Sequence, residues 1–311
     1  MTAVSVSRRS TPQPGSTHQR RSTLQRSRGR AGILLSAPAA VFVVLLLGIP
    51  ILQAVYFSMT QWDGITSTWL GPSAYVAEFS DPTFWRVLLN NGALLLSVPV
   101  AMAIPLGIAA ILHEHPFGWR FFRTIYFLPT AISWVVIGMV AARLFAQHGG
   151  VNDLLAAIGL GAIRTDFLAG EWTALFAVAV TFVWSMIGTN TIIFLTGMST
   201  LDVSLHEAAR MDGAGPWRIF VDITVPQLAR FIQFSFIMTM ISAFTALFSL
   251  IFVMTGGGPG YGTTTLEFFV YQSAFSQGEF GTGALLGVVL FIIMGAIGLA
   301  QLRVLRSDDQ S

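Results

Sequence analysis

An all-α membrane protein with six transmembrane helices and both termini in the cytoplasm is the fold class this sequence predicts, on three observations. Apolar side chains make up 54% of the 311 residues and charged ones 10%, at a mean hydropathy of +0.69, which points to lipid rather than water as the solvent. The apolar residues gather into long runs separated by short polar stretches. All 17 basic residues are arginine, and all but Arg86, Arg143 and Arg164 fall on one side of those runs.

The runs are Ile33 to Phe57, Val87 to Leu112, Thr124 to Phe145, Trp172 to Met198, Phe231 to Met254 and Ala284 to Leu302. Each is close to the roughly 20 residues that cross about 30 Å of hydrocarbon. Before them, Met1 to Arg30 carries arginine among Ser, Thr, Gln and Pro with few apolar residues, so a disordered cytoplasmic tail is expected. Its charge suits an anionic lipid surface, and a nucleic-acid partner is not expected. Ile33 to Phe57 is too long for a signal-peptide core and lacks a small-residue cleavage site, so it is expected to stay as the first span. The division expected is a tail over 1–30, a transmembrane domain over 31–306 and a cytoplasmic end over 307–311.

Orientation follows from the arginines. The tail, Arg120 and Arg123, the loop with Arg210, Arg218 and Arg230, and the end with Arg303 and Arg306 share one side. The opposite loops hold Asp63, Glu78, Asp81, Asp153, Asp166, Glu171, Glu267 and Glu279. Trp62, Trp69, Trp85, Trp119, Tyr126 and Trp172 sit where headgroup-level anchors are needed. Pro99 and Pro105, inside the second span, are tolerable in a bundle and predict a bend.

Absences narrow the function. Without cysteine there are no disulfides and no thiolate metal sites, and without lysine there is no phosphate-cradling P-loop, so the chain is not itself an ATPase. No Asp, Glu, Lys, Arg or His lies in the central part of a span, which argues against proton or sodium coupling and a stand-alone secondary carrier. The histidines lie outside the spans, and His113, Glu114 and His115 lack the spacing of a helical zinc motif. No nucleophile, base and acid converge on a soluble cleft, so no enzyme activity, metal or cofactor is expected of this chain.

Two helices carry polar stripes: Thr181, Ser185 and Thr189 on one, Ser235, Thr239, Ser242 and Ser249 on the other. Such stripes either glue helices together or line a pathway. With the neighbouring Phe182, Met186, Met240, Ala243, Phe244 and Leu247, the residues Ser185 and Thr189 form the candidate translocation pathway, in which a solute could stack on Phe182 and Phe244.

The segment between the fourth and fifth spans, 199–230, is the most specific. Asp202 or Ser204 can cap a short helix through Glu207, Ala208, Ala209 and Met211; Gly213 and Gly215 break it, and Pro216 opens a second helix at its first turn. Small side chains at Ala208, Ala209 and Ala214 let a partner approach, while Glu207 and Asp212 offer carboxylates to basic groups.

Glu207, Ala208, Ala209 and Gly213, followed by Ile223 and Pro226, resemble the E-A-A loop of permease subunits in type I ATP-binding-cassette importers of the maltose and glycerol-3-phosphate type. Phe121 to Pro129, F-F-R-T-I-Y-F-L-P, is similar to that family's entry into its core third span. T-G-G-G-P-G and T-T-T-L within Thr255 to Leu266, then Tyr271, Ala274 and Phe275, resemble its outer loop, so the likeness runs from Leu88 to Arg306. Val225, Gln227 and Arg230 depart from the family pattern. The resemblance implies the permease fold, a second homologous permease, two copies of a cytoplasmic ATPase that binds ATP and magnesium, and an extracytoplasmic binding protein, in a bacterial plasma membrane. Glu207 would enter the ATPase groove with Ala208 and Ala209 on its walls, Gly213 would form the elbow, and Pro226 would start the return into the fifth span. A carbohydrate-type solute is implied, and amino acids or peptides are the alternative.

Overall fold

The computed structural model describes residues 36–114 and 117–308. The expectations for the tail, for His115 and for the last three residues lie outside this range. Helix α1, Ser36–Phe57, carries one π-helical turn at Val44–Gly48. A contact boundary falls at Gln53, and before it the side chains from Val41 to Leu47 are all exposed, as apolar residues solvated by lipid are.

After the boundary, a hairpin pairs β1, Thr60–Trp62, antiparallel with β2, Ser67–Trp69. Asp63 closes its turn: one carboxylate oxygen accepts the Ile65 and Thr66 N–H groups at 2.9 and 2.6 Å, the other the Thr66 hydroxyl at 2.9 Å. The two N–H bonds hold its pKa below the ordinary aspartate value. Trp62 stacks on Phe57 at 4.1 Å, and Trp69 lies against Tyr56.

Helix α2 spans Ser73–Ser80, and α3, Pro82–Leu95, starts from Asp81, whose carboxylate accepts the Thr83 N–H while Pro82 takes the first turn. Helix α4, Ser97–His113, completes this second span. The third apolar run differs from the single helix expected. Helix α5, Trp119–Phe127, ends in a 3₁₀ turn at Leu128–Ala131, and after extended Ile132 the chain restarts as α6, Trp134–Phe145, bent by 110° at the break. Pro129 donates no N–H there, and hydropathy, which carries no direction, gave no sign of the break.

Helix α7, Gly150–Ala157, precedes α8, Glu171–Met198; then come α9, Val203–Met211, α10, Pro216–Ile219, α11, Ala229–Met254, α12, Leu266–Tyr271, and α13, Phe280–Asp308. Among the described residues five helices are long and apolar enough to cross a membrane, or six if the bent pair counts as one.

The main core joins the end of α3 with α4, α6, α8 and α11 around Leu94, Val98, Ile137, Val178, Phe182, Phe194, Leu247 and Leu250. A second cluster, Phe84, Val87, Leu266, Phe269, Leu285 and Leu286, joins α3, α12 and α13.

One polar group sits inside this packing for a reason set by proline. Pro105 has no N–H to give the Ala101 carbonyl one helical turn earlier. Asn190 of α8, 1% exposed, donates its Nδ2 to that carbonyl at 2.8 Å. It also donates to Thr239 Oγ1 at 3.0 Å and accepts the Ser235 hydroxyl at 3.0 Å, so it ties α4, α8 and α11 together.

Candidate functional site

The loop after α8 is built from local signals. Of the two capping residues left open by the sequence, Asp202 performs the role: its Oδ1 accepts the Ser204 N–H at 2.9 Å, which lowers its pKa. Helix α9 ends as Asp212 and Gly213 fold their N–H groups back on Ala208 and Arg210, and Gly213 sits at φ +79°, a left-handed conformation that only glycine adopts at little cost. Pro216 opens α10, which continues through a π-helical turn, Phe220–Thr224, into Val225–Gln227. The result is two short helical limbs meeting at a glycine elbow.

The residues singled out from the sequence are presented together on this elbow. Glu207, Ala208, Asp212 and Gly213 are exposed, Ala209 and Ala214 partly so, and Pro226 is exposed where the second limb turns toward α11. Met211 and Trp217 flank the elbow at 87% and 76% exposure, so an apolar surface accompanies the carboxylates. Behind the elbow, Leu228 is fully buried and packs with Phe231 against Gly197 near the end of α8. Arg210 lies 3.8 Å from Glu114 at the end of α4.

The candidate pathway residues are dispersed. Phe182 is fully buried and stacks on Trp134 at 6.1 Å, and Ser185 donates back to the Thr181 carbonyl at 2.8 Å. Met186, Ala243 and Leu247 are buried in the core, whereas Thr189 is exposed. Met240 and Phe244 line one groove of about 230 Å³ between α11 and α13, with Met294, Ile297 and Gln301. Phe182 and Phe244 therefore present different surroundings in the isolated chain. Gly188 lets α8 approach the Phe121 to Pro129 segment, since a Cβ there would strike the Tyr126 carbonyl and the Thr130 methyl.

On the opposite face the Thr255 to Leu266 motif forms one knot. Thr263 and Thr264 hydroxyls donate to the Gly258 and Gly257 carbonyls, each at 2.9 Å. Asn90 of α3 donates to the Tyr261 and Thr264 carbonyls at 2.7 and 2.9 Å, and Asn91 accepts the Leu266 N–H at 2.7 Å. Beside them, burial pushes the Glu267 carboxyl up to about 7, while Asn91 supplies it one hydrogen bond at 3.3 Å. Arg86 pairs with Glu171 and covers the Trp172 ring at 4.9 Å.

Sequence reasoning missed Asn190, Asn90 and Asn91, because at membrane depth it weighed ionisable residues and Ser/Thr stripes but not amide side chains. The usable signal for Asn190 was Pro105, whose missing N–H requires a donor from a neighbouring helix.

Residues 103–307 match the family model described as "Binding-protein-dependent transport system inner membrane component". The probable ABC transporter permease protein YurN of Bacillus subtilis is 34% identical over 89% of this chain and 96% of the relative. The sulfoquinovosyl glycerol transport system permease protein SmoG of Agrobacterium fabrum is 34% identical over 89% and 91%, and the diacetylchitobiose uptake system permease protein NgcF of Streptomyces coelicolor 30% over 93% and 86%. A chain from a bacterial ABC transporter involved in the import of the acidic polysaccharide alginate superposes with a TM-score of 0.75 over 91% of this chain and 98% of that one; at 22% identity this establishes the fold. The chain thus belongs to the binding-protein-dependent transport system inner membrane components, the multi-pass, non-catalytic permease subunits of ABC transporters.

Proposed function

We propose that this chain is one of two homologous permease subunits of a type I importer that carries a carbohydrate-type solute into the cell. A cytoplasmic ATPase, present in two copies, binds the ATP and magnesium, and this chain holds no cofactor. An extracytoplasmic binding protein delivers the solute at the face bearing the Thr255 to Leu266 knot. The chain lies in the bacterial plasma membrane with six spans, the bent α5–α6 pair counting as one, and with both termini and the loop 199–230 in the cytoplasm. The tail over 1–30, the transmembrane domain over 31–306 and the end over 307–311 complete this reading. The sugar class rests on relatives named for sulfoquinovosyl glycerol and diacetylchitobiose transport.

One observation carries the coupling role: the capped, glycine-hinged elbow exposes Glu207, Asp212, Met211 and Trp217 above a buried base at Leu228. An exposed mixed surface of this kind is a grip for a partner. ATPase closure draws the elbows of the two permeases together and opens the cavity outward; hydrolysis and release return it. Residues Phe182, Ser185, Met186, Thr189, Met240, Ala243, Phe244 and Leu247 are proposed to border the pathway once the second permease is in place.

The test replaces Glu207 by Ala or Gly213 by Val and measures ATP hydrolysis stimulated by the binding protein in reconstituted complexes. Loss of stimulation in both is expected, and unchanged stimulation in both refutes the coupling role.

A further inference from the structure

One side chain next to the proposed docking residues bridges the two limbs of the elbow. His206, immediately before Glu207, lies with Nε2 3.1 Å from the Thr224 hydroxyl on the second limb and with Nδ1 3.4 Å from the Asp202 carbonyl. Either tautomer keeps the contact: Nε2 accepts the Thr224 O–H when Nδ1 carries the proton toward Asp202, and donates to the Thr224 oxygen when Nε2 carries it. Thr224 is 7% exposed and closes the π-helical turn, and the Ile219 carbonyl 3.4 Å away is a second acceptor for its hydroxyl. Glu207, the next residue, lies about 100° further round the helix and is exposed.

We infer that His206 and Thr224 form a strut that fixes the angle between the two limbs, so that force on the elbow moves α8 and α11 instead of folding the hinge. A glycine at positive φ gives the elbow its shape and leaves it free to flex. Transmission needs a cross-link between the two limbs, and the imidazole supplies one. His206 is a positioning residue that acts through Glu207 and Gly213, and the inference rests on the coupling role proposed above.

The experiment uses complete reconstituted complexes, with ATP hydrolysis measured with and without the purified binding protein. His206→Ala and Thr224→Val should each lower the stimulation ratio about fivefold, the factor that corresponds to one hydrogen bond of about 1 kcal/mol. His206→Gln and Thr224→Ser, which keep a bonding group in reach, should retain the ratio within about twofold, and the double variant should fall no further than either single one. Because the chain has no cysteine, Ala214→Cys can report cross-linking to the ATPase in the wild-type and His206→Ala backgrounds. A preserved cross-link with a lowered ratio supports the strut. A preserved cross-link with an unchanged ratio overturns the strut alone, as would multiplicative loss in the double variant or failure of the Gln and Ser variants to rescue. Absence of the cross-link in the wild-type background overturns the docking role, and the strut with it.

Discussion

Replacing Asn190 by Ala should loosen the junction of α4, α8 and α11, and the structure sets the size of the effect. The side chain donates to the Ala101 carbonyl and to Thr239, and accepts from Ser235. Hydrogen bonds between membrane helices average about 0.6 kcal/mol and reach about 1.7, so three predict a loss of about 2–5 kcal/mol. The Ala101 share is separable because Pro105 causes the need for it. In Pro105→Ala the helix regains its own N–H for that carbonyl, so adding Pro105→Ala to Asn190→Ala should recover about 1 kcal/mol. Thermal unfolding of the detergent-purified complex, with denaturant steps on the four genotypes of the cycle, measures both quantities. Independent, additive effects of Pro105→Ala and Asn190→Ala would refute the link between the proline and the asparagine.

Three further outcomes follow. Burial raises the Glu267 carboxyl from 4.5 to about 7, so the folded chain keeps a proton that the unfolded chain releases between those values, and stability falls as pH rises through that window. Glu267→Gln should thus stabilise the complex at pH 8, by at most about 3 kcal/mol, and change little at pH 4, as read from melting temperatures. Gly188→Val should disrupt the contact between α8 and the Tyr126 to Thr130 segment, costing about 1–3 kcal/mol or preventing assembly, as measured by yield of monodisperse complex. Asp202→Ala should cost about 1 kcal/mol by uncapping α9, with Asp202→Ser neutral in the same assay.

The elbow was readable because its causes are local: a capping carboxylate, a glycine with room to turn left-handed and a proline at a first turn lie within a few residues of one another. The apolar runs were readable for an equally plain reason, since lipid demands length. What stayed hidden depends on partners far apart in sequence. On α8 the stripe residues Thr181 and Ser185 bond back to their own helix, whereas Asn190, which was not part of the stripe, reaches across to α4 and α11. The hairpin at Thr60–Trp69 went unread because Asp63, counted only as an outer-face charge, is spent on closing a turn. The break between α5 and α6 left no mark in hydropathy, because Ile132 is as apolar extended as it is helical.

The central claim is that the exposed elbow faces the cytoplasm and is gripped there by a separate ATPase. A single cysteine at Asp212, reacted with a membrane-impermeant maleimide in sealed vesicles of known orientation, tests both parts at once. The account predicts labelling only from the cytoplasmic side, and protection when the ATPase subunits are bound. Labelling from the outer side, or equal labelling with and without the ATPase, would contradict it.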